Sequence, residues 1–106
     1  MSETSAATVR DNPDAHRYEV VVDDQVAGFA IYQRRGATTF FVHTEIDPAY
    51  EGQGLGSVLA AGALDAVRQQ GSLIVPLCPF IRRYIDRHPE YGDLVDHDLL
   101  ARIDRL

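Results

Sequence analysis

Three glycines, Gly52, Gly54 and Gly56, fall within five residues of the stretch EGQGLGSVLAAGAL, residues 51–64. Glycine weakens helices and strands, so such a cluster answers a local demand of the backbone. Upstream, Thr38–Ile46 (TTFFVHTEI) carries the β-branched and aromatic alternation of a strand. Simple alternation puts Phe40, Val42, Thr44 and Ile46 on one face and Phe41, His43 and Glu45 on the other. Downstream, Leu55, Val58, Leu59, Gly62, Ala63, Ala66 and Val67 recur at helical spacing, and Gln70-Gly71 supplies a stop. Residues 72–77 (SLIVPL) suit a short buried strand that Pro76 ends or makes irregular. Strand, glycine turn, helix and strand make one right-handed crossover. It predicts that residues 72–77 pair parallel to Thr38–Ile46.

The remaining segments attach to that unit. Residues 16–22 (HRYEVVV) and 26–34 (VAGFAIYQR) read as strands, with polar turns at Asp23-Asp24-Gln25 and Arg35-Gly36-Ala37. With Thr38–Ile46 they form an antiparallel meander. Pro79–Arg87 reads as a second helix, opened by proline at a favoured first position and ended by His88-Pro89. Residues 93–106 are expected to hold a short final helix, alone or after a strand fragment. Residues 1–14 read as a disordered leader and 15–106 as a single domain. The expectation is an α+β fold with a mixed sheet, ordered β-β-β-α-β-α plus a short C-terminal helix.

The 106 residues carry a formal net charge of -6. That balance disfavours nucleic acid and anionic membranes as partners, because both need clustered Lys and Arg. Cys78 is the single cysteine, so no internal disulfide can form and a reducing, cytoplasmic setting is expected. No apolar run is long enough to cross a bilayer. No His, Cys and Asp cluster has metal-ligand spacing, so no metal is expected.

A strand that passes through glycines into a helix is suited to anions. The first N–H groups of a helix lack internal partners, and the helix dipole adds positive potential there. Glycines let a phosphate approach those groups without meeting a Cβ. Gly52, Gly54 and Gly56 stand at that place, and Ser57 adds a hydroxyl. No Gly-Lys-Ser/Thr follows, and the spacing is GxGxG rather than GxGxxG. A purely structural alternative stands beside this reading. Gly52 and Gly54 would form a tight turn, and Gly56 would let the helix sit close to the sheet.

Glu51-Gly52-Gln53-Gly54-Leu55-Gly56, placed between strand and helix, resembles the acetyl-CoA pyrophosphate signature of the GCN5-related N-acetyltransferases. HTEIDPAYEGQGLGSVLAAGALDAV, then LCPFIRRYI, then HPEY, is similar to the small, minimal branch of that family. The resemblance implies an acetyl-CoA-dependent N-acetyltransferase that acts on an amine acceptor. It assigns Ile46, Gly52, Gln53, Gly54, Leu55, Gly56 and Ser57 to the cosubstrate. A backbone N–H near Glu45-Ile46-Asp47 would polarise the thioester carbonyl. Glu51 departs from the usual Gln or Arg, so its carboxylate is expected to point away from the pyrophosphate. Two other functions fit the same resemblance: a module that binds acetyl-CoA without turnover, and an interaction protein on an old enzyme fold.

Acetyl transfer to an amine needs a base, a polarised carbonyl and a stabilised thiolate. His43 and Glu45, two apart on a strand, are candidate bases. Cys78, at the start of a helix and just past the strand expected beside Thr38–Ile46, is a candidate for the thioester site. It would either carry the acetyl group or only line the sulfur. The resemblance also points to Tyr84 as the acid that protonates the CoA thiolate, and Arg82 and Arg83 are available for its 3′-phosphate. The acceptor and the oligomeric state are not legible in the sequence.

Overall fold

The computed structural model describes residues 7–106. Its centre is a five-stranded mixed sheet in the order β1-β2-β3-β4-β5. The strands are β1 (Thr8–Asn12), β2 (Arg17–Val22), β3 (Gln25–Arg35), β4 (Thr38–Ile46) and β5 (Leu73–Pro76). The first four pair antiparallel and β5 pairs parallel to β4, as the crossover requires. The helices are α1 (Leu55–Gln69), α2 (Pro79–Arg87) and α3 (His97–Asp104). Ahead of α3, Val95 forms a single parallel bridge to Ile74, so the C-terminal stretch holds a strand fragment and a helix.

Strand β1 corrects the expected leader. Thr8–Asn12 pair along their whole length with β2, although residues 1–14 read as disordered. The strand carries one apolar anchor, Val9, which sits directly under Gly62 of α1. A Cβ on Gly62 would lie 2.6 Å from Val9 Cβ, so helix and strand touch only because position 62 is glycine. The part of the leader formed by residues 1–6 lies outside the described residues.

One face of the sheet packs against α1 and α2. Tyr18, Val20, Ala30, Tyr32 and Phe41 meet Leu59, Ala63, Leu64 and Val67 of α1 and Ile81 and Ile85 of α2 in one core. The opposite face holds a buried charge. Glu19 is only 1% exposed and accepts hydrogen bonds from Arg10 (2.9 Å), Asn12 (3.0 Å) and Arg17 (2.7 Å). Burial alone would raise its pKa, but the hydrogen bonds from Asn12, Arg17 and Arg10 outweigh burial and hold it at about 2.

The strand β4 is not regular. Ile31 faces His43 and Tyr32 faces Phe41, so Val42 is an extra residue, a β-bulge. The bulge overturns the simple alternation. Before it, Phe41 faces the helices; after it, Thr44 and Ile46 do, opposite Ala30 and Gly28. Phe40, His43 and Glu45 face the other way.

Two consequences are measurable. Gly62→Ala should destabilise the protein by about 1–3 kcal/mol through overpacking on Val9. An open helix position would instead gain up to about 1 kcal/mol from that change, so a rise in urea stability would show β1 to be loosely held. Glu19 has a folded pKa below its ordinary value. Its stabilisation is therefore full above about pH 4.5 and is lost as pH falls toward 2. Glu19→Gln should cost about 2 kcal/mol at neutral pH and flatten the acid limb of the stability curve, read by urea melts at several pH values.

Candidate active site

The site begins where β5 leaves β4. Ladder pairs run only from Thr38↔Leu73 to Phe41↔Pro76. Pro76 has no N–H to extend the ladder. The next two amides, of Leu77 and Cys78, both donate to the Phe41 carbonyl, at 3.0 and 2.9 Å. Beyond that point β4 continues to Ile46 with no β5 residue beside it. The amide of Asp47 donates to Ala27 on β3 at 2.8 Å. Antiparallel alternation then turns the N–H and C=O groups of Thr44 and Ile46 away from β3, toward the gap.

The gap opens on the helix side into a cleft of about 360 Å³. Thr44 and Ile46 line it from β4, Gly52, Gly54, Leu55 and Gly56 from the glycine turn, and Phe80 from α2. Glu51 also borders it. Helix α1 points its N-terminus here. Gly54 caps it in the left-handed conformation (φ 75°) and no side chain satisfies the first turn. The first helical bond runs from the Val58 amide to the Gly54 carbonyl, so the N–H groups of Leu55, Gly56 and Ser57 have no helical partner.

The glycines have separate tasks. Gly52 (φ 86°) and Gly54 occupy left-handed backbone, and each has open space for 4 Å around the point where a Cβ would stand. Gly56 has ordinary backbone, but a Cβ there would come within 2.8 Å of Phe80 Cζ. It makes room for α2 rather than for the sheet, which the structural alternative had named. Upstream, Gly28 lets Ile46 lie across it: a Cβ would meet Ile46 Cδ1 at 2.5 Å.

The proposed site residues separate into three groups. Ile46, Gly52, Gly54, Leu55 and Gly56 line the cleft together, whereas Gln53 is exposed beside it. Ser57 lies in an adjoining depression of about 90 Å³ with Phe80, Arg83, Tyr84 and Arg87. Tyr84 stacks on His88 at 3.9 Å, and desolvation, helped by Glu90 and Asp65, raises its pKa. Cys78 caps α2, is 3% exposed, and donates its thiol hydrogen to Thr44 Oγ1 at 3.3 Å. Thr44 lines the cleft and Cys78 does not.

His43 and Glu45 form the third group. His43 Nε2 and Glu45 Oε2 are 2.8 Å apart, and both side chains are more than half exposed. They stand on the sheet face opposite the cleft, beside the same gap. Arg82 is tied to Asp104 at 3.2 Å and to the Pro76 carbonyl, which leaves Arg83 and Arg87 nearer the α1 N-terminus. The sequence reading missed Thr44 and Phe80. Thr44 was legible only as a strand position, and Phe80 only as an apolar residue two past the cysteine.

A family model described as GCN5-related N-acetyl-transferase matches residues 17–94. The chain belongs to that family. This GCN5-related chain shares its fold with a GCN5-like protein from Staphylococcus aureus solved by NMR. The TM-score is 0.64 at 16% identity, over 90% of each chain. The ribosomal-protein-S18-alanine N-acetyltransferase of Escherichia coli is also similar, with a TM-score of 0.53 and 24% identity. That match takes in 57% of this chain and only 39% of the bacterial enzyme's length. No curated protein matches the sequence.

Proposed function

We propose that the protein transfers an acetyl group from acetyl-CoA to a primary amine. One juxtaposition carries this reading: the unpaired edge of β4 and the uncapped N-terminus of α1 border a single cleft. The first suits an amide-rich, extended chain such as pantetheine, and the second suits its pyrophosphate. The depression with Arg83 and Arg87 extends the positive end beyond Ser57.

In this reading the N–H of Ile46 or Thr44 polarises the thioester carbonyl. The amine reaches the carbonyl through the gap, from the face that carries His43. His43, oriented by Glu45, takes the proton that the ammonium must lose. The amine nitrogen bonds to the acetyl carbon and sheds its second proton to solvent, the carbon–sulfur bond breaks, and the thiolate leaves with the electron pair. Tyr84 is the candidate to return a proton to it. Burial of Cys78 behind Thr44 favours direct transfer, with Cys78 as part of the wall.

Ser57→Asp separates the anion site from the structural alternative. A carboxylate in the first helical turn should leave the melting temperature unchanged or raise it. The same carboxylate should weaken acetyl-CoA binding about tenfold through repulsion of the pyrophosphate, as read by calorimetric titration. Unchanged affinity would mean that the glycines serve only the turn and the packing. Tight binding with no acetylation of any amine would leave a cosubstrate-binding module. Cys78→Ala should keep turnover within about tenfold of the native protein. A loss of more than about 100-fold with binding intact would assign Cys78 the covalent step.

A further inference from the structure

The face of the sheet opposite the cleft carries a second cavity, of about 300 Å³. Phe40, Val42 and Leu77 line it, with Gln33 and Arg35 at its rim. All five side chains point to this face by register: Gln33 pairs with Phe40, Arg35 with Thr38, and Leu77 follows β5 two residues after Val75. Val42 shares this face with Phe40 by simple alternation, and the bulge brings His43 onto it beside Val42. Among the described residues, the exposed large apolar side chains are Val42 (37%), Leu73 (41%), Leu77 (36%) and the C-terminal Leu106. Val42 and Leu77 sit where β4 and β5 part, whereas Leu73 pairs with Thr38 at the other end of the ladder.

This cavity and the cosubstrate cleft are two sides of one opening. Leu77 and Cys78 hang from the same Phe41 carbonyl, with Leu77 on the cavity side and Cys78 against Thr44 of the cleft. One strand's thickness separates them. No carboxylate lines the cavity, and its one charged group is the cation Arg35. The overall charge of -6 would draw polyamines and lysine-rich peptides to the protein, but the cavity lining holds no carboxylate, Arg35 stands at its rim, and Glu45 on the same face is already bonded to His43.

We propose that the acceptor is an amine with an apolar body, held against Phe40, Val42 and Leu77 with its nitrogen toward His43, and not a polycation. The inference rests on the acetyl-transfer reading above. Burial of aliphatic or aromatic carbon on these three side chains supplies the selectivity, and each well-buried methylene is worth a few-fold in kcat/KM.

The test compares hexylamine and 2-phenylethylamine with spermidine and a lysine-rich peptide as acceptors, with release of CoA as the signal. The apolar amines should show kcat/KM at least about tenfold higher. Leu77→Asp and, as a milder change, Leu77→Ser should lower the ratio of hexylamine to spermidine efficiency by about the same factor. Methyl NMR on the protein without cosubstrate should show Val42 and Leu77 shifting with hexylamine and not with spermidine. Transfer that prefers spermidine or the peptide, or a ratio that Leu77→Asp leaves unmoved, overturns this inference and spares the transfer reading. No transfer to any amine overturns both. A concentration-dependent dimer that Leu77→Asp disperses assigns the surface to a second copy of the chain and also overturns it.

Discussion

The carbonyl of Phe41 accepts two amides, from Leu77 and Cys78, and the working half of the molecule follows from that. Ordinary parallel pairing would have carried β5 alongside β4 to its end. Pro76 cannot donate, and the two amides after it converge on one oxygen, so the strands part instead. The Val42 bulge falls at the same level and turns Thr44 and Ile46 toward the helices. Together these leave backbone amides at the bottom of a cleft, unpaired but reachable. Such groups are costly when sealed from both water and partners. Here the cleft is open, so they remain available to a substrate.

Close packing fixes the surroundings of that edge. Three glycines mark places where elements touch without room for a methyl group: Gly28 under Ile46, Gly56 against Phe80, and Gly62 over Val9. Gly56 borders the cleft, Gly28 seats Ile46, which lines it, and Gly62 clamps α1 to the edge strand β1. Helix α1 is thus held near its start and at its middle, and its N-terminus keeps a fixed aim at the edge of β4. On the far side of α1, Tyr91 donates to Asp65 at 2.8 Å and Arg68 pairs with Asp93 at 3.0 Å, which pins the turn after α2.

Charge is arranged locally in ways that the total conceals. The chain is acidic overall, but Arg83 and Arg87 border the depression beside the α1 N-terminus. Several carboxylates are already committed: Glu19 to Arg10 and Arg17, Asp104 to Arg82, Glu45 to His43. The apolar cavity on the opposite face has Arg35 at its rim. A net charge describes solubility and long-range steering. It does not describe the small volume in which an amine and a thioester would meet.

Local signals in the chain were enough for the meander, the parallel crossover, α1, the limits of α2 and the glycine turn. Each depends on neighbours within a few residues, where periodicity, proline and glycine act directly. The family resemblance in HTEIDPAYEGQGLGS and HPEY was legible for the same reason. The edge strand β1 was not, because TVRDN holds one apolar residue and gains its order from pairing with β2 and from contact with Gly62, which is distant in sequence. The faces of β4 were misread, because a bulge is set by the partner strand and a two-residue period cannot register it. The division of the site residues was also out of reach: Cys78 behind Thr44, His43 and Glu45 across the sheet, Tyr84 beside Ser57. Sequence spacing determines which residues share a strand or a turn. Which of them meet at one opening is decided by where two strands stop pairing, and that is a property of the assembled sheet.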